Sequence, residues 1–324
     1  MIRIMLLVLA SFAVLLVGLW FWVTQPLFGR PQVRAKVAVD SARLEAHVRT
    51  ICAEAGPRDE SQPQNLDRVA GYIREEFQQA NGVVTEQPFQ VNGKTYRNVI
   101  AQFGPDSRER IVVGAHYDTA GPYPGADDNA SGVAGLIELA RLLGQASLSL
   151  RVELVAFTLE EPPYFRTPQM GSAIHAASLV NQGVKVRAML ALEMIGYFDD
   201  ASGSQKFPAS LLAAFYPSQG NFIGVVGAFG NGLLLRRLKS AMREASPLPV
   251  FTIAAPDFIP GVDFSDHLNY RQAGYVALMI TDTAFYRNPH YHAPSDRPET
   301  LDYQRMAMVV QGVYAAVLAL SLTD

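Results

Sequence analysis

Residues 110–143 read RIVVGAHYDTAGPYPGADDNASGVAGLIELARLL, and this stretch predicts a strand, a polar turn and a helix in succession. The uninterrupted apolar run at 111–113 is typical of a strand that is buried on both faces. From Val133 to Leu143, apolar residues recur every three or four positions, which favours a helix with one buried face, and Gly144 ends it. A buried strand followed by a helix is the unit from which α/β folds are built.

The same alternation continues along the chain. Predicted strands lie at 96–103, 110–115, 150–158, 186–192, 221–228 and 275–280. Predicted helices lie at 39–54, 66–80, 129–143, 170–181, 231–245 and 304–322. This order predicts an α/β fold of three layers, in which helices flank a mostly parallel or mixed central β-sheet. The last helix is apolar, but Gln304, Arg305 and Gln311 interrupt it, so we expect it to pack in the core.

The composition excludes several classes of protein. The chain has 324 residues, of which 49% are hydrophobic and 18% are charged, so disorder and coiled coil are excluded as the main state. The net charge of -3 gives no basic excess for a nucleic-acid partner. Cys52 is the single cysteine, which excludes an internal disulfide framework and a cysteine-rich zinc module.

The N-terminal segment carries an unbroken apolar run from Ile4 to Val23. A helix of this length spans about 30 Å, which matches the hydrocarbon core of a bilayer. Trp20 and Trp22 lie at its far end, where aromatic rings favour the membrane interface. The run is longer than the apolar part of a typical signal peptide, and no small-residue cleavage site follows it. We therefore favour an uncleaved signal anchor over a removed signal peptide.

This interpretation divides the chain into an anchor at 1–24, a linker at 25–36 and one folded domain at 37–324. Basic residues flank both sides of the apolar run, with Arg3 before it and Arg30 among those after it. The charge count is therefore ambiguous about the orientation in the membrane, and it leans slightly against an exported domain.

Acidic and histidine side chains follow several predicted strands at the point where each strand ends. They are His116 and Asp118, then Glu160 and Glu161, then Glu193, and finally His290 and His292, and Asp127 and Asp128 lie on the turn before the helix at 129–143. The carboxyl ends of parallel strands meet at one edge of a sheet, where ligands bind. Two adjacent carboxylates at the mouth of a buried strand repel each other unless a cation is present.

Each of these residues also has a simpler interpretation when it is taken alone. Asp127 and Asp128 suit the N-cap of a helix, Glu193 suits a buried ion pair, and His116 suits an ordinary buried polar position. Their convergence favours a metal site. Carboxylate and imidazole ligands without thiolates suit zinc, with cobalt or manganese as substitutes, and a carboxylate that bridges suits a two-metal site.

Six segments resemble the co-catalytic zinc aminopeptidases, a family related to bacterial leucyl aminopeptidase and aminopeptidase Y, and more widely to glutamate carboxypeptidases and glutaminyl cyclases. They are GAHYDT at 114–119, PGADDNASG at 124–132, TLEE at 158–161, LEMIGY at 192–197, FSDH at 264–267 and PHYHAPSD at 289–296. The resemblance implies the family's zinc-exopeptidase fold, two zinc ions and a peptide substrate. It also implies an exported catalytic domain, which we expect on the periplasmic or extracellular side of the membrane.

Carried over residue by residue, the resemblance implies a set of metal ligands. His116 and Glu193 bind one metal, Glu161 and His292 bind the other, and Asp128 bridges the two.

The resemblance also implies roles for three residues that surround these ligands. Glu160 is the general base, Asp118 orients the His116 ring, and Asp127 lies behind the ligands. In the family the peptide bond between Asp127 and Asp128 tends to be cis, so we expect a cis bond there.

The chain departs from the family's pattern at a few positions. Glu193 stands where its peptidases more often have Asp, and Pro162-Pro163 follows Glu161 where many members have a Gly-containing turn. His290 is an alternative ligand to His292, although we favour His292. Asp266 and His267 either line the site or cap a helix.

Three other functions compete with a two-zinc aminopeptidase. A glutaminyl-cyclase-like acyltransferase would use one zinc, and a membrane-anchored binding module would have lost catalysis. A serine hydrolase is disfavoured because no G-x-S-x-G motif is present. Gly224, Gly227 and Gly230 imitate a dinucleotide fingerprint with the wrong spacing, so we interpret them as a strand-to-helix turn.

Overall fold

The computed structural model describes residues 2–28, 37–54 and 56–322. Its strands are β1 (Val83–Val91), β2 (Lys94–Phe103), β3 (Glu109–His116), β4 (Arg151–Phe157), β5 (Lys185–Glu193), β6 (Ile223–Gly227), β7 (Val250–Ala254) and β8 (Ala277–Thr281). Its α-helices are α1 (Ile2–Thr24), α2 (Ser41–Glu54), α3 (Pro63–Gln79), α4 (Gly132–Leu143), α5 (Gly171–Asn181), α6 (Gly232–Ala245), α7 (His267–Gln272) and α8 (Tyr303–Ser321). Most of the linker predicted at 25–36 lies outside the described residues.

The strands form one mixed sheet in the order β1-β2-β4-β3-β5-β8-β6-β7. The four central strands, β4, β3, β5 and β8, run parallel to their neighbours within this group. The strands that flank them, β2 and β6, run antiparallel to them. The predicted mostly parallel or mixed sheet is therefore confirmed.

Helices cover both faces of this sheet, which confirms the three-layer arrangement. On β3, Ile111 and Val113 pack in the larger core with residues of α2, α3, α4, α6 and α8, whereas Val112 points to the opposite face, against α5 and α7. This alternation follows from the two-residue period of a strand. Apolar residues on both faces of the central strands explain their continuous apolar runs.

The sequence did not predict β1, β7 or α7. The first two are the edge strands of the sheet. In β1, Thr85 is exposed and Glu86 and Gln87 are half-buried, so the strand carries no buried apolar run by which it would be recognised. The helix α7 is only six residues long, which is too short for a helical period to stand out.

Two glycines interpreted as part of a strand-to-helix turn lie elsewhere. Gly224 and Gly227 are inside β6, and only Gly230 lies in the short connection between β6 and α6. A Cβ on Gly227 would lie 2.5 Å from a methyl carbon of Leu278 on β8, so close packing between neighbouring elements accounts for this glycine.

Two long apolar helices have different surroundings. The most apolar stretch of Arg3–Thr24 in α1 has a mean hydropathy of 2.7 and is not buried in the protein, although Thr24 at its end is buried, so the length and composition of α1 suit a membrane span or a signal sequence. By contrast, α8 buries a row of side chains that includes Met306, Val310 and Val317 in the main core. The prediction that the last helix packs in the core is confirmed.

Candidate metal centre

Three neighbouring parallel strands carry the predicted site residues at their carboxyl ends. His116 is the last residue of β3 and Glu193 is the last residue of β5, while Glu160 and Glu161 follow β4. In the sheet, β3 lies between β4 and β5, so these side chains converge on one edge. His292 reaches the same edge from the segment that follows β8.

Asp128 lies at the centre of this group. Its Oδ1 is 3.4 Å from Nε2 of His116, and its Oδ2 is 3.1 Å from Nε2 of His292. The side chain is held on an irregular turn, Ala126–Ser131, that leads into α4. One carboxylate therefore faces two imidazoles with two different oxygens, which is the geometry of a bridging ligand.

The turn that holds Asp128 contains a cis peptide bond, but not the one that we expected. The cis bond joins Asp128 to Asn129, so the prediction for the bond between Asp127 and Asp128 was wrong. The Asn129 side chain ties the turn to the end of β5, since its Nδ2 donates to the Leu192 carbonyl and its Oδ1 accepts from the Met194 amide. These contacts couple the position of Asp128 to the strand that carries Glu193.

Two further carboxylates complete a donor group on each side of Asp128. The Oε2 of Glu193 is 3.4 Å from Nε2 of His116. The Oε1 of Glu161 is 3.2 Å from Nε2 of His292. Donor atoms of His116, Asp128 and Glu161 all lie within 4.8 Å of one another.

The charges of this group fit divalent cations. Among the described residues, its carboxylates form ion pairs only with the two imidazoles and with no lysine or arginine. Burial, followed by the charge of Asp128, raises the pKa of Glu161 to about 7, and burial also raises the pKa of Glu193. Burial lowers the pKa of His292, but hydrogen bonds with Asp128 and Glu161 raise it to about 10. Crowded carboxylates that hold protons in this way are stabilised when cations replace the protons. The buried cluster is therefore compatible with zinc.

Glu160 lies beside this group, but it belongs neither to the donors around His116 nor to those around His292. Its Oε2 is 4.0 Å from Nε2 of His116, which is beyond hydrogen-bond distance. Burial raises the pKa of Glu160 well above its usual range, the charge of His116 opposes this, and the charges of Glu161 and Glu193 add to it. A buried carboxylate with a raised pKa beside such a cluster is a candidate for a general base.

The structure gives Asp118 a different set of contacts from the one expected. Its Oδ1 lies 3.6 Å from Nδ1 of His116, which is too far for a hydrogen bond, and that nitrogen is 3.2 Å from the Asp118 carbonyl instead. The carboxylate accepts the backbone amides of Glu160, at 3.2 Å, and Glu161, at 3.0 Å. Asp118 thus fixes the backbone of the two adjacent glutamates.

Asp127 binds segments that surround the cluster. Its carboxylate accepts hydrogen bonds from the Gly196 amide and from Nδ2 of Asn288. Burial, together with the charge of Asp282, raises the pKa of Asp127 well above its usual range.

Sequence reasoning missed two residues that hold the turn before α4. The carboxylate of Asp296 accepts the backbone amides of both Asp127 and Asp128, at 2.9 and 3.1 Å. The fully buried guanidinium of Arg58 donates to the carbonyls of Tyr117, Pro124 and Gly125. Asp296 belongs to a segment that carried the resemblance, whereas no signal in the sequence singled out Arg58.

The remaining candidates lie around the cluster. Asp266 occupies the N-cap position of α7 but makes no capping hydrogen bond, and burial raises its pKa to about 7. His267 faces away, since its Nε2 donates to the Val262 carbonyl. The Nδ1 of His290 lies 2.9 Å from the Ser295 hydroxyl and its ring packs edge-on against Tyr197, and in the described part of the chain it makes no hydrogen bond or ion pair with the cluster.

An apolar cavity of about 120 Å³ opens next to the cluster and shares Glu193 with it. Its walls come from β6, β7, β8 and the segments around 207–216, 259–264 and 283–291. Its lining includes eight aromatic side chains, which are those of Phe207, Tyr216, Phe222, Phe251, Phe264, Phe285, Tyr286 and Tyr291. These residues are far apart in the sequence, and for that reason the sequence did not reveal the cavity.

The chain is similar to several known proteins. The uncharacterized protein YfbL of Escherichia coli K12 is 49% identical over 279 residues, which cover 84% of this chain and 85% of YfbL. Among solved structures, BSAP, a zinc aminopeptidase from Bacillus subtilis, has a TM-score of 0.67 at 14% identity and covers 86% of this chain and 94% of its own. A glutaminyl cyclase from Bacteroides thetaiotaomicron has a TM-score of 0.65 at 20% identity, with 90% and 99% covered.

The two structural likenesses establish a shared fold. The family follows from a sequence model, that of peptidase family M28, which matches residues 98–317. The matched range contains every residue of the cluster, from His116 to His292, and it covers more than half of the chain. This chain therefore belongs to peptidase family M28.

Proposed function

We propose that the protein is a zinc-dependent aminopeptidase that removes the N-terminal residue of peptides with the help of two zinc ions. The observation that carries this proposal is the position of Asp128 between two donor groups, with Glu160 beside them. His116, Glu193 and one oxygen of Asp128 would hold one ion. His292, Glu161 and the other oxygen of Asp128 would hold the second.

Hydrolysis of a peptide bond requires a group that carries a proton from the attacking water to the leaving amine. When bound, zinc supplies positive charge that lowers the pKa of a water molecule and polarises the scissile carbonyl. Glu160 takes a proton from the attacking water and returns it to the leaving amine. Asp118 keeps Glu160 in place by accepting its backbone amide.

The substrate preference follows from the surroundings of the cluster. The buried carboxylates suit a free N-terminal amine, which favours an exopeptidase over an endopeptidase. The cavity next to Glu193 is apolar and aromatic, so it suits a large apolar first side chain, such as that of leucine or phenylalanine.

The location of the protein is also part of this proposal. The exposed apolar helix α1 suits an uncleaved anchor, which would tie the enzyme to a membrane. An exported M28 peptidase would then carry its catalytic domain on the periplasmic or outer side.

One observation favours a second function, a glutaminyl-cyclase-like acyltransferase with one zinc. The cyclase from Bacteroides thetaiotaomicron matches this fold over nearly its whole length. The two functions differ in the number of zinc ions and in the product, because a cyclase releases ammonia from an N-terminal glutamine.

The test compares Glu160→Gln with Glu75→Gln, which makes the same change at an exposed position. Full-length protein in detergent is loaded with zinc, its zinc content is measured by elemental analysis, and hydrolysis of leucyl, phenylalanyl and alanyl p-nitroanilides is followed. We expect two zinc equivalents in both variants, and a loss of activity of about 10²- to 10⁴-fold in Glu160→Gln alone. Full activity of that variant would disprove the role of Glu160. One zinc equivalent with release of ammonia from a glutaminyl peptide would favour the cyclase.

A further inference from the structure

The last turn of α1 is fastened to the catalytic domain. The carbonyl of Thr24 accepts hydrogen bonds from the Thr252 hydroxyl, at 2.7 Å, and from Nζ of Lys239, at 3.2 Å. The same Lys239 ammonium donates to the Gln25 carbonyl at 3.3 Å. A cation that satisfies the free carbonyls at the end of a helix stabilises this end, and here it also joins α1 to α6 and β7.

Side-chain packing reinforces this attachment. The ring of Trp22 stacks on Phe229 at 4.3 Å between ring centres. The side chain of Gln25 packs so closely on Gly232, at the start of α6, that a Cβ there would lie 2.8 Å from its Nε2. The anchor helix therefore leaves the catalytic domain in a fixed direction.

A cleft of about 550 Å³ lies between α1 and the domain, beside this attachment. Apolar side chains, among them Trp20, Leu27 and Phe215, form one part of its lining. Lys239 and Arg243, both on α6, supply positive charge to the other part. Within the described residues, the Arg243 guanidinium makes no ion pair. Burial, followed by the charges of Arg243 and Arg236, lowers the pKa of Lys239 to about 8. An anion in the cleft would therefore offset the repulsion between these positive charges.

The place of the cleft along α1 sets its depth in a membrane. Trp20 precedes Thr24 by four residues, which is about 6 Å along a helix. Tryptophan rings prefer the boundary between hydrocarbon and headgroups, so a bilayer that holds α1 brings its headgroups to the level of the cleft. Leu233 and Phe28 flank this end of α1 and are 88% and 73% exposed, which suits contact with the same interface.

We infer that the cleft between α1 and α6 binds the headgroup of an anionic phospholipid, whose phosphate pairs with Arg243 and whose acyl chains lie along the Trp20 side. Arginine suits phosphate because its planar guanidinium donates two parallel hydrogen bonds. Such a lipid would mount the catalytic domain on the membrane in one orientation. This inference rests on the proposal that α1 is retained in the mature protein, and it is independent of the proposed peptidase reaction.

The test uses the full chain in nanodiscs of phosphatidylcholine, with and without phosphatidylglycerol. We expect phosphatidylglycerol to raise the apparent melting temperature by about 3–6 °C, as for a ligand that binds only the folded state. Arg243→Glu should lose most of this shift. Arg108→Glu, which reverses the charge of an exposed arginine just before β3, should keep it. Arg243→Gln provides a milder second variant.

Several results would overturn the inference. The first is an increase in melting temperature that is equal for wild type and Arg243→Glu, and the second is no increase for wild type. The third is the same increase when inorganic phosphate is added in detergent, which would assign the cleft to a free anion. An intact mass showing that residues 1–24 are removed would also overturn it. Arg243 lies outside the metal centre, so hydrolysis of a soluble aminoacyl substrate should be unchanged in its variants. Failure of the peptidase proposal would therefore be seen separately, as absent hydrolysis in the wild type.

Discussion

Replacement of Asp118 by asparagine tests the finding that this residue holds the Glu160–Glu161 backbone. The carboxylate accepts both amides, one with each oxygen. An asparagine offers one oxygen and one NH₂ group, so one backbone amide loses its acceptor and meets a donor instead. A buried hydrogen bond to a charged group contributes about 1.5–3 kcal/mol. If the loss falls on the transition state, kcat decreases about 10- to 150-fold.

The assay separates this role from an effect on His116. Activity of Asp118→Asn on leucyl p-nitroanilide is measured across a zinc titration, with Asp106→Asn, an exposed position, as the control. If Asp118 mainly places Glu160, the loss in kcat persists at saturating zinc. If it mainly orients His116, excess zinc restores full kcat, because the defect then lies in metal affinity. Full recovery would therefore refute the role of Asp118 in placing Glu160.

Two further predictions concern the cavity and the fold. Val226→Trp fills part of the apolar cavity beside Glu193 and should raise KM for phenylalanyl substrates at least tenfold while sparing alanyl substrates; an equal effect on both would place the first side chain elsewhere. Glu138→Gln should destabilise the fold by about 2 kcal/mol in urea at pH 7, because the buried carboxylate pairs with Arg43 and Arg141. Burial opposes the ionisation of Glu138, but hydrogen bonds with His47, Arg43 and Arg141 lower its pKa to about 2, so this stabilisation is present above pH 4.5 and is lost as the pH falls towards 2. A loss that does not change between pH 7 and pH 3 would exclude this charge effect.

The sequence predicted the centre of the fold better than its edges. The apolar run at 111–113 identified β3 because a central strand is buried on both faces. Neither edge strand carries an uninterrupted buried run: exposed and partly buried residues make up most of β1, and buried and partly buried residues alternate in β7. The strand β1 pairs with β2 across the two-residue turn Asn92-Gly93, which is a hairpin signal in the sequence that hydrophobic periodicity does not register. The strand β7 pairs with β6, from which α6 separates it along the chain, and periodicity does not contain this contact.

The candidate site shows the same division. His116, Glu160, Glu161 and Glu193 could be brought together in advance, because each follows a strand whose carboxyl end meets the others. The sequence could not predict which peptide bond is cis, which amides Asp118 accepts or where the apolar cavity lies. Each of these depends on backbone geometry or on side chains that meet only in the folded chain.

Glu193 links the two halves of the proposed site. It stands where an aspartate is more common in the family that the sequence resembles, and its longer side chain needs an additional restraint to act as a ligand. The Ser265 hydroxyl provides one by donating to Oε2 at 2.7 Å, while the same oxygen lies 3.4 Å from Nε2 of His116. Glu193 also lines the apolar cavity. In the proposed reaction, a substrate whose first side chain fills this cavity would place its scissile carbonyl next to the ion that Glu193 would hold, and the same residue would then contribute to metal binding and to selectivity.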